Sequence, residues 1–312
     1  MTFDTTSLLE PKGDLADRQL LEHKEISMWE DTWRRLRKNK MAMIALIYVV
    51  VLTISSIFAF AIMPYGRDET DFDYTREGPM SEHWFGTDKL GRDVFTRIVY
   101  GAQVSLGVAF VGSLTALFIG VTYGAISGYF GGIIDDLMMR FVDLMYGFPT
   151  MLFLILMMLI VPPNSSTAAI MGAMFIGLGI VSWLNVARLV RGQFLSLREQ
   201  EFVEAARALG ATPRRIISRH LLPNSLGPVV IWMTLQIPGL ILTESTLSFI
   251  GLGVKPPTPS WGQMLSEGWR AMRTSPHLAV FPGLAITITM IAFNFLGDGL
   301  RDALDPTMRG RD

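Results

Sequence analysis

The sequence predicts an all-α, polytopic membrane protein with six transmembrane helices and with the N-terminus and the C-terminus both cytoplasmic. Three observations carry that expectation. Half of the 312 residues are hydrophobic and only 18% are charged, and a mean hydropathy of +0.37 is too apolar for an ordinary soluble enzyme. The apolar residues gather into long runs separated by shorter polar segments. The densest set of arginines falls in one loop region, and the positive-inside rule places such a loop in the cytoplasm. A net charge of −1 asks for no nucleic-acid partner, and the absence of cysteine excludes disulfides and thiolate chemistry. The 29 glycines and 19 methionines fit closely packed helices in lipid, although methionine also serves as plain filler.

Residues 1–40 read as a cytoplasmic N-terminal tail. Residues 1–26 are polar and without pattern. Ser27 and Glu30 then have the spacing of a capping box, Trp29, Trp33 and Leu36 share a helical face, and Arg34, Arg35, Arg37, Lys38 and Lys40 follow. This is the pattern of an amphipathic helix lying on membrane lipid, with tryptophans at headgroup level and cations towards anionic lipid. A solvated juxtamembrane tail is the alternative. Residues 41–63 carry no charge. At ~1.5 Å per residue they reach about 34 Å, enough to cross a core of about 30 Å. Ala59-Phe60-Ala61 looks like a cleavage site, but the run exceeds the ~7–15 residues of a signal-peptide core, so it reads as an anchor.

Residues 64–100 hold eight Asp/Glu against five Lys/Arg and read as an extracytoplasmic loop. Gly86 and Gly91 mark turns, and Asp93, Arg97 and Tyr100 stand at helical spacing. A plug that fastens the first helix to the rest is the preferred reading over direct substrate contact. The remaining spans are expected at 102–126, 136–161, 168–189, 226–251 and 278–300. Residues 127–136 form a short loop between the first two of these. Only Arg140 gives that loop positive-inside support. Pro149 should kink the third span, Pro162-Pro163-Asn164 should turn the chain outside, and Pro228 and Pro238 should interrupt the fifth span. Residues 253–277 form a proline-stiffened outer loop that can cap the pathway, and 303–312 form a cytoplasmic tail.

The loop 196–224, SLREQEFVEAARALGATPRRIISRHLLPN, reads as two short helices hinged at a glycine. Ser196 and Glu199 have capping-box spacing. Phe202, Ala205, Ala206 and Leu209 recur on one helical face, and Gly210 suits the left-handed position that ends a helix. Thr212 and Pro213 start a second helix, Ile216, Ile217 and Leu221 give it a buried side, and Pro223 should stop it. Arginines 188, 191, 198, 207, 214, 215 and 219 outnumber glutamates 199, 201 and 204. A helix-glycine-helix at the membrane surface suits docking of a soluble partner, but it also suits an interfacial loop whose arginines touch lipid headgroups.

No motif for catalysis is present: HExxH, GxSxG and the phosphate-cradling GxxxxGK[ST] are all missing, and the histidines at 23, 83, 220 and 277 are scattered. No metal site is read, and His220 is expected to be a helix-end hydrogen-bonder. Among charges at membrane depth, Glu244 is a possible pathway or gate residue, together with Pro149. The alternatives for Glu244 are a backbone-paired residue or a helix-end residue in the outer headgroups. Asp298 is expected to snorkel or to pair with Arg301, and Arg140 with Asp143.

Glu204-Ala205-Ala206, Gly210 and Leu222-Pro223 resemble the EAA loop of ABC importer permeases, which fits into a groove of the ATPase subunit. His220 stands where that family usually has an aliphatic residue, although HLLPN is a familiar form in its peptide-transporter branch. GTDKLGRD at 86–93 resembles the segment before the transport domain in the second membrane subunit of dipeptide and oligopeptide importers. With SGYFGGIIDDLMMR, VSWLNVARLVRGQFLSLREQEFVEAA and FNFLGDGLRDALDP, the resemblance covers nearly the whole chain after residue 27. It is closest to the C subunit of oligopeptide permeases. It implies a type I ABC importer permease fold, with a transmembrane type-1 domain over 101–302 that contains the coupling loop 196–224. It also implies that Glu204, Ala205, Ala206, Leu209, Gly210, Leu222 and Pro223 couple to the ATPase. The implied partners are a homologous B-type permease subunit, two ABC ATPase subunits and an extracytoplasmic peptide-binding protein in a bacterial inner membrane. No cofactor is implied for this chain, because the partner subunits bind ATP. Oligopeptides are the implied cargo, with dipeptides, nickel complexes or other small solutes as alternatives. A passive channel, a scaffold and an intramembrane protease are the readings from other classes.

Overall fold

The computed structural model describes residues 28–162 and 164–304. The polar segment 1–26, the Ser27 cap, the Trp29 side chain, Pro163 of the expected turn and the tail from 305 lie outside that description. Among the described residues the regular elements are all helices, apart from an isolated bridge between Thr87 and Asp93, and residues 63–93 and 250–260 are mostly turns.

Helix α1 (Met28–Lys38) carries its cations as expected, but its apolar face divides. Leu36 is buried with Ala42 and Ala303, while Trp33 is exposed beneath the Arg37 guanidinium, 4.8 Å from its ring centroid. Asn39 accepts a hydrogen bond from Ala42 N (3.1 Å) and so starts α2 (Lys40–Ile57); a short α3 (Ala59–Ile62) follows. On one side of α2 the Tyr48 hydroxyl meets Thr289 Oγ1 at 2.9 Å. On the other, Ile44, Ile47, Val51 and Ile54 are exposed, as a lipid-facing side requires.

Asp93 caps α4 (Val94–Phe130) by accepting from Thr96 N at 2.7 Å. This helix is longer than the expected 102–126 because nothing breaks it before Gly131, whose φ is +65°. The expected loop 127–136 therefore shrinks to a glycine turn into α5 (Gly132–Tyr146). The expected kink at Pro149 is a full break: Pro149 caps α6 (Thr150–Ile160), which lies at 77° to α5. Helix α7 (Thr167–Leu197) returns to the basic loop. There α8 (Glu201–Ala208) and α9 (Pro213–Ile216) precede a π turn, Ile217–Leu221, which leads into α10 (Leu222–Phe249).

Pro223 does not stop that helix. It sits in the first turn of α10, and the π turn before it adjusts the hydrogen-bond ladder that the missing N–H interrupts. Residues 213–249 therefore run as one unit, with Pro228 and Pro238 inside it. Helix α11 (Trp261–Arg270) and the final α12 (His277–Leu304) complete the chain. Five of these runs are long and apolar enough to cross a membrane, and the bent α5–α6 pair makes a sixth if counted as one span. The basic loop lies at one end of the bundle (the basic end), and residues 64–92 with 253–276 lie at the other (the acidic end).

Helices α4 and α7 form the central pair, and a glycine row brings their backbones together. A Cβ on Gly120 would stand 2.7 Å from Trp183 O, on Gly124 2.9 Å from Val190 Cβ, and on Gly128 2.7 Å from Phe194 Cβ. Small residues four apart permit this approach in lipid, where packing replaces the hydrophobic effect as the cohesive force. Gly124→Leu is accordingly expected to abolish a monodisperse folded protein in detergent gel filtration. Gly107→Ala, whose Cβ would meet no atom within 4 Å, should elute as the parent does.

Candidate functional site

At the basic end, α7 continues through Ser196, so the expected capping box with Glu199 does not form. Arg198 N still donates to Phe194 O (2.9 Å), and α8 starts only after Gln200. The apolar face expected from Phe202, Ala205, Ala206 and Leu209 also divides. Val203 and Ala206 turn inward to a cluster with Phe194, Ile216 and Leu221. Phe202, Ala205 and Leu209 point out with Glu204, and Leu209 is 89% exposed. The helix closes as expected at Gly210 (φ +78°). Gly210 N donates to Arg207 O (2.9 Å) and Ala211 N to Ala206 O (3.0 Å), the double bond of a Schellman cap. Thr212 Oγ1 then accepts from Arg215 N at 3.4 Å. Leu222 is half-buried and Pro223 exposed. At His220 the backbone carbonyl, not the ring, makes the helix-end bond, accepting from Asn224 Nδ2 at 2.6 Å.

Behind this loop lies a network that the sequence reading missed. Arg191 donates through Nε and Nη2 to both oxygens of Asp135 (2.5 and 2.6 Å), and Ser127 donates to the same carboxylate. Arg198 Nη1 reaches Gly128 O at 3.3 Å. The end of α4, the start of α5 and the end of α7 are thereby tied by a two-pronged charged contact, the strongest common form. The first aspartate of GGIIDD and an arginine inside LVRGQF were the available signals. The expected Arg140–Asp143 pair does not form; Arg188 takes Asp143 and lies over the Tyr146 ring at 4.1 Å. Asp298 is exposed, and among the described residues no ion pair joins it to Arg301.

Towards the acidic end Glu244 is fully buried, and side-chain hydroxyls meet its carboxylate. It accepts from Ser248 Oγ (2.7 Å), Ser105 Oγ (2.9 Å) and Ser245 Oγ (3.3 Å). Ser105 in turn accepts from Trp261 N (3.4 Å), and Trp261 Nε1 donates to Ile98 O (2.9 Å). One carboxylate thus pins α4, α10 and α11. Pro149 stands apart, exposed at the α5–α6 break. Residues 64–92 fold onto α4 and α11: His83 Nδ1 meets Asp93 at 2.9 Å, Lys89 meets Glu267 at 3.3 Å, and Arg97 Nη1 donates to Arg67 O at 3.1 Å. Among the described residues no cluster of His, Asp or Glu is placed to hold a metal ion.

Residues 120–310 match the family of the binding-protein-dependent transport system inner membrane component, and residues 27–79 match the N-terminal TM domain of oligopeptide transport permease C. The chain is 41% identical over 304 residues to the oligopeptide transport system permease protein OppC of Bacillus subtilis, covering 97% of this chain and 98% of that protein. This chain is an inner-membrane permease of the binding-protein-dependent transport family. It is also 43% identical to OppC of Haemophilus influenzae (96% of this chain, 95% of that protein). Identity is likewise 43% to the glutathione transport system permease protein GsiD of Escherichia coli O157:H7, covering 90% of this chain and 91% of that protein. A structure of the MetNI methionine ABC transporter in inward-facing conformations has the same fold. Its TM-score is 0.54 at 22% identity, over 68% of this chain and 97% of that one.

The permease is therefore a multi-pass membrane subunit of an ABC importer in the bacterial inner membrane. The larger matched region begins at Gly120, the first glycine of the α4–α7 seam, and contains the whole basic loop and Glu244. Both oxygens of Glu244 accept from serine hydroxyls of α4 and α10, so its carboxylate bridges these helices. Glu244→Gln should keep most of these bonds and leave the unfolding temperature of the purified permease near the parent value. Glu244→Leu should lower it by several degrees, because buried hydroxyls left without an acceptor cost roughly 1–3 kcal/mol each.

Proposed function

We propose that this permease is one membrane half of an ATP-driven importer, and that the loop 196–224 docks an ABC ATPase subunit. The observation that carries this is the outward face of α8. Leu209 is almost fully exposed on a helix whose opposite side is buried and whose end is locked by the Schellman cap at Gly210. A rigid, anchored helix that holds a leucine in water is suited to a groove in another protein, where its burial contributes about 1.5–3 kcal/mol. Glu204, Ala205 and Phe202 share that face, while Ala206 holds α8 against the bundle. Leu222 and Pro223 continue the route into α10. The sequence has no P-loop, so the nucleotide is assigned to separate ATPase subunits, with no cofactor on this chain.

In this reading both termini and the basic loop are cytoplasmic, residues 64–100 and 253–277 face outward, and α1 rests its cations on anionic lipid. The partners are a homologous B-type permease, two ATPase subunits and an extracytoplasmic peptide-binding protein. Closure of the ATPase dimer draws the loops together. The motion passes through α8, the Asp135–Arg191 network and the continuous 213–249 run into the spans, so the cavity turns outward; hydrolysis returns it. Oligopeptides are the cargo this reading favours, supported by the names of the OppC relatives. Dipeptides or glutathione form the second reading, supported by the relatives DppC and GsiD at 41% and 43% identity.

Two variants test the docking. Leu209→Glu, or Glu204→Lys on the same face, should leave the permease in the membrane but reduce co-purifying ATPase at least about tenfold; undiminished recovery overturns the assignment. Gly210→Val forces a β-branched residue into the left-handed region at a cost of roughly 1–2 kcal/mol. It is expected to retain ATP hydrolysis while losing uptake in reconstituted vesicles, and unchanged uptake would count against a rigid coupling helix.

A further inference from the structure

At the acidic end, where α4, α11 and the start of α12 meet residues 76–89, there is a cavity of about 230 Å³. Its charged lining is unbalanced. Arg76, Lys89, Arg97 and Arg270 face only Asp88 and Glu267. Both acids are engaged: Arg92, outside the lining, lies 2.7 Å from Asp88, and Lys89 lies 3.3 Å from Glu267. Among the described residues neither Arg76 nor Arg270 forms an ion pair.

Arg97 is the unusual member. It is 1% exposed, and its Nη1 donates to the carbonyls of Arg67 (3.1 Å) and Pro257 (3.4 Å), while its Nη2 has no hydrogen-bond partner. A buried guanidinium N–H without an acceptor is costly. Its nearest acids, Asp88 at 3.7 Å and Asp68 at 3.8 Å, lie on the Nε and Nη1 side, and Asp88 is already held by Arg92; neither serves Nη2. Arg76, also in the lining, is held at φ +57°, a backbone conformation that non-glycine residues rarely adopt and that concentrates at ligand sites. Val94, Met264 and Leu278 supply an apolar wall.

We propose that this cavity is an anion site that takes a carboxylate carrying a short apolar stem, the chemistry of a peptide's C-terminal residue or of a small free acid. A guanidinium fork matches the two oxygens of a carboxylate, and the surplus cations favour an anion over the water that would otherwise fill the space. The apolar wall takes the stem. Only the peptide source of the carboxylate rests on the importer reading above; the anion site rests on the cavity itself.

The test uses the complete transporter purified through a tag on this chain, with propionate as the probe in saturation-transfer NMR. Propionate should give a signal and propionamide none. The double variant Arg76→Gln/Arg270→Gln, which changes two exposed side chains, should bind propionate about tenfold more weakly. Equal signals from acid and amide, or a double variant that binds like the parent, would mean a water-filled cavity and overturn the proposal. Phosphate that displaces propionate at equal concentration would overturn its preference for carboxylates. Uptake into vesicles with the binding protein then separates the sources. If the double variant raises KM for trialanine and not for trialanine amide, the cargo carboxylate is the occupant. If both peptides respond alike while propionate still binds, the peptide source is overturned and a free acid is the occupant. A parent transporter that binds propionate but imports no peptide would sink the cargo reading and leave the site standing.

Discussion

The close approach of α4 and α7 along Gly120, Gly124 and Gly128 is the contact on which the rest of the permease depends. In lipid, apolar side chains gain little by meeting one another, so cohesion comes from backbones near enough for dense van der Waals contact. The two helices are also the longest continuous links between the ends of the bundle apart from the 213–249 run. Fixing their separation fixes where the loops at the two ends of the bundle can stand.

Around this seam, buried polar groups specify angles that packing alone leaves loose. Glu244 and its three serines hold α10 and α11 onto α4. Asp135, gripped by Arg191, holds α5 under α7 and α4. Charged groups are costly inside a membrane protein and persist where every oxygen finds a donor. Both carboxylates meet that condition, and each joins helices that are far apart in the chain. The basic loop follows directly on the end of α7 that Asp135 ties to α4 and α5.

The long apolar runs, the left-handed Gly210 that ends α8 and the Thr212–Pro213 helix start were all legible in the sequence. Each follows from local rules: uninterrupted apolar length, absence of a Cβ at positive φ, a hydroxyl cap followed by proline. The misreadings were also local rules, applied where a neighbour overrode them. Ser196 and Glu199 have the spacing of a capping box, but the Phe194 carbonyl keeps α7 wound past them. Pro223 has the look of a stop signal, but a π turn absorbs it. Asp143 pairs with Arg188, a residue far along the chain that helical spacing cannot reveal, and not with Arg140.

By itself the sequence determined that this chain crosses a membrane several times, carries no nucleotide or metal motif, and presents a glycine-hinged basic loop. Those properties depend on composition and on residues within a few positions of one another. Only the tertiary structure decided which side of α8 faces out, what Glu244 and Asp135 hold, and that Arg97 is buried beside a cation-lined cavity. Each of these joins residues tens of positions apart. Helical periodicity defines a face but not its neighbour, and in this permease the neighbour determines whether a charge is a rivet or a site.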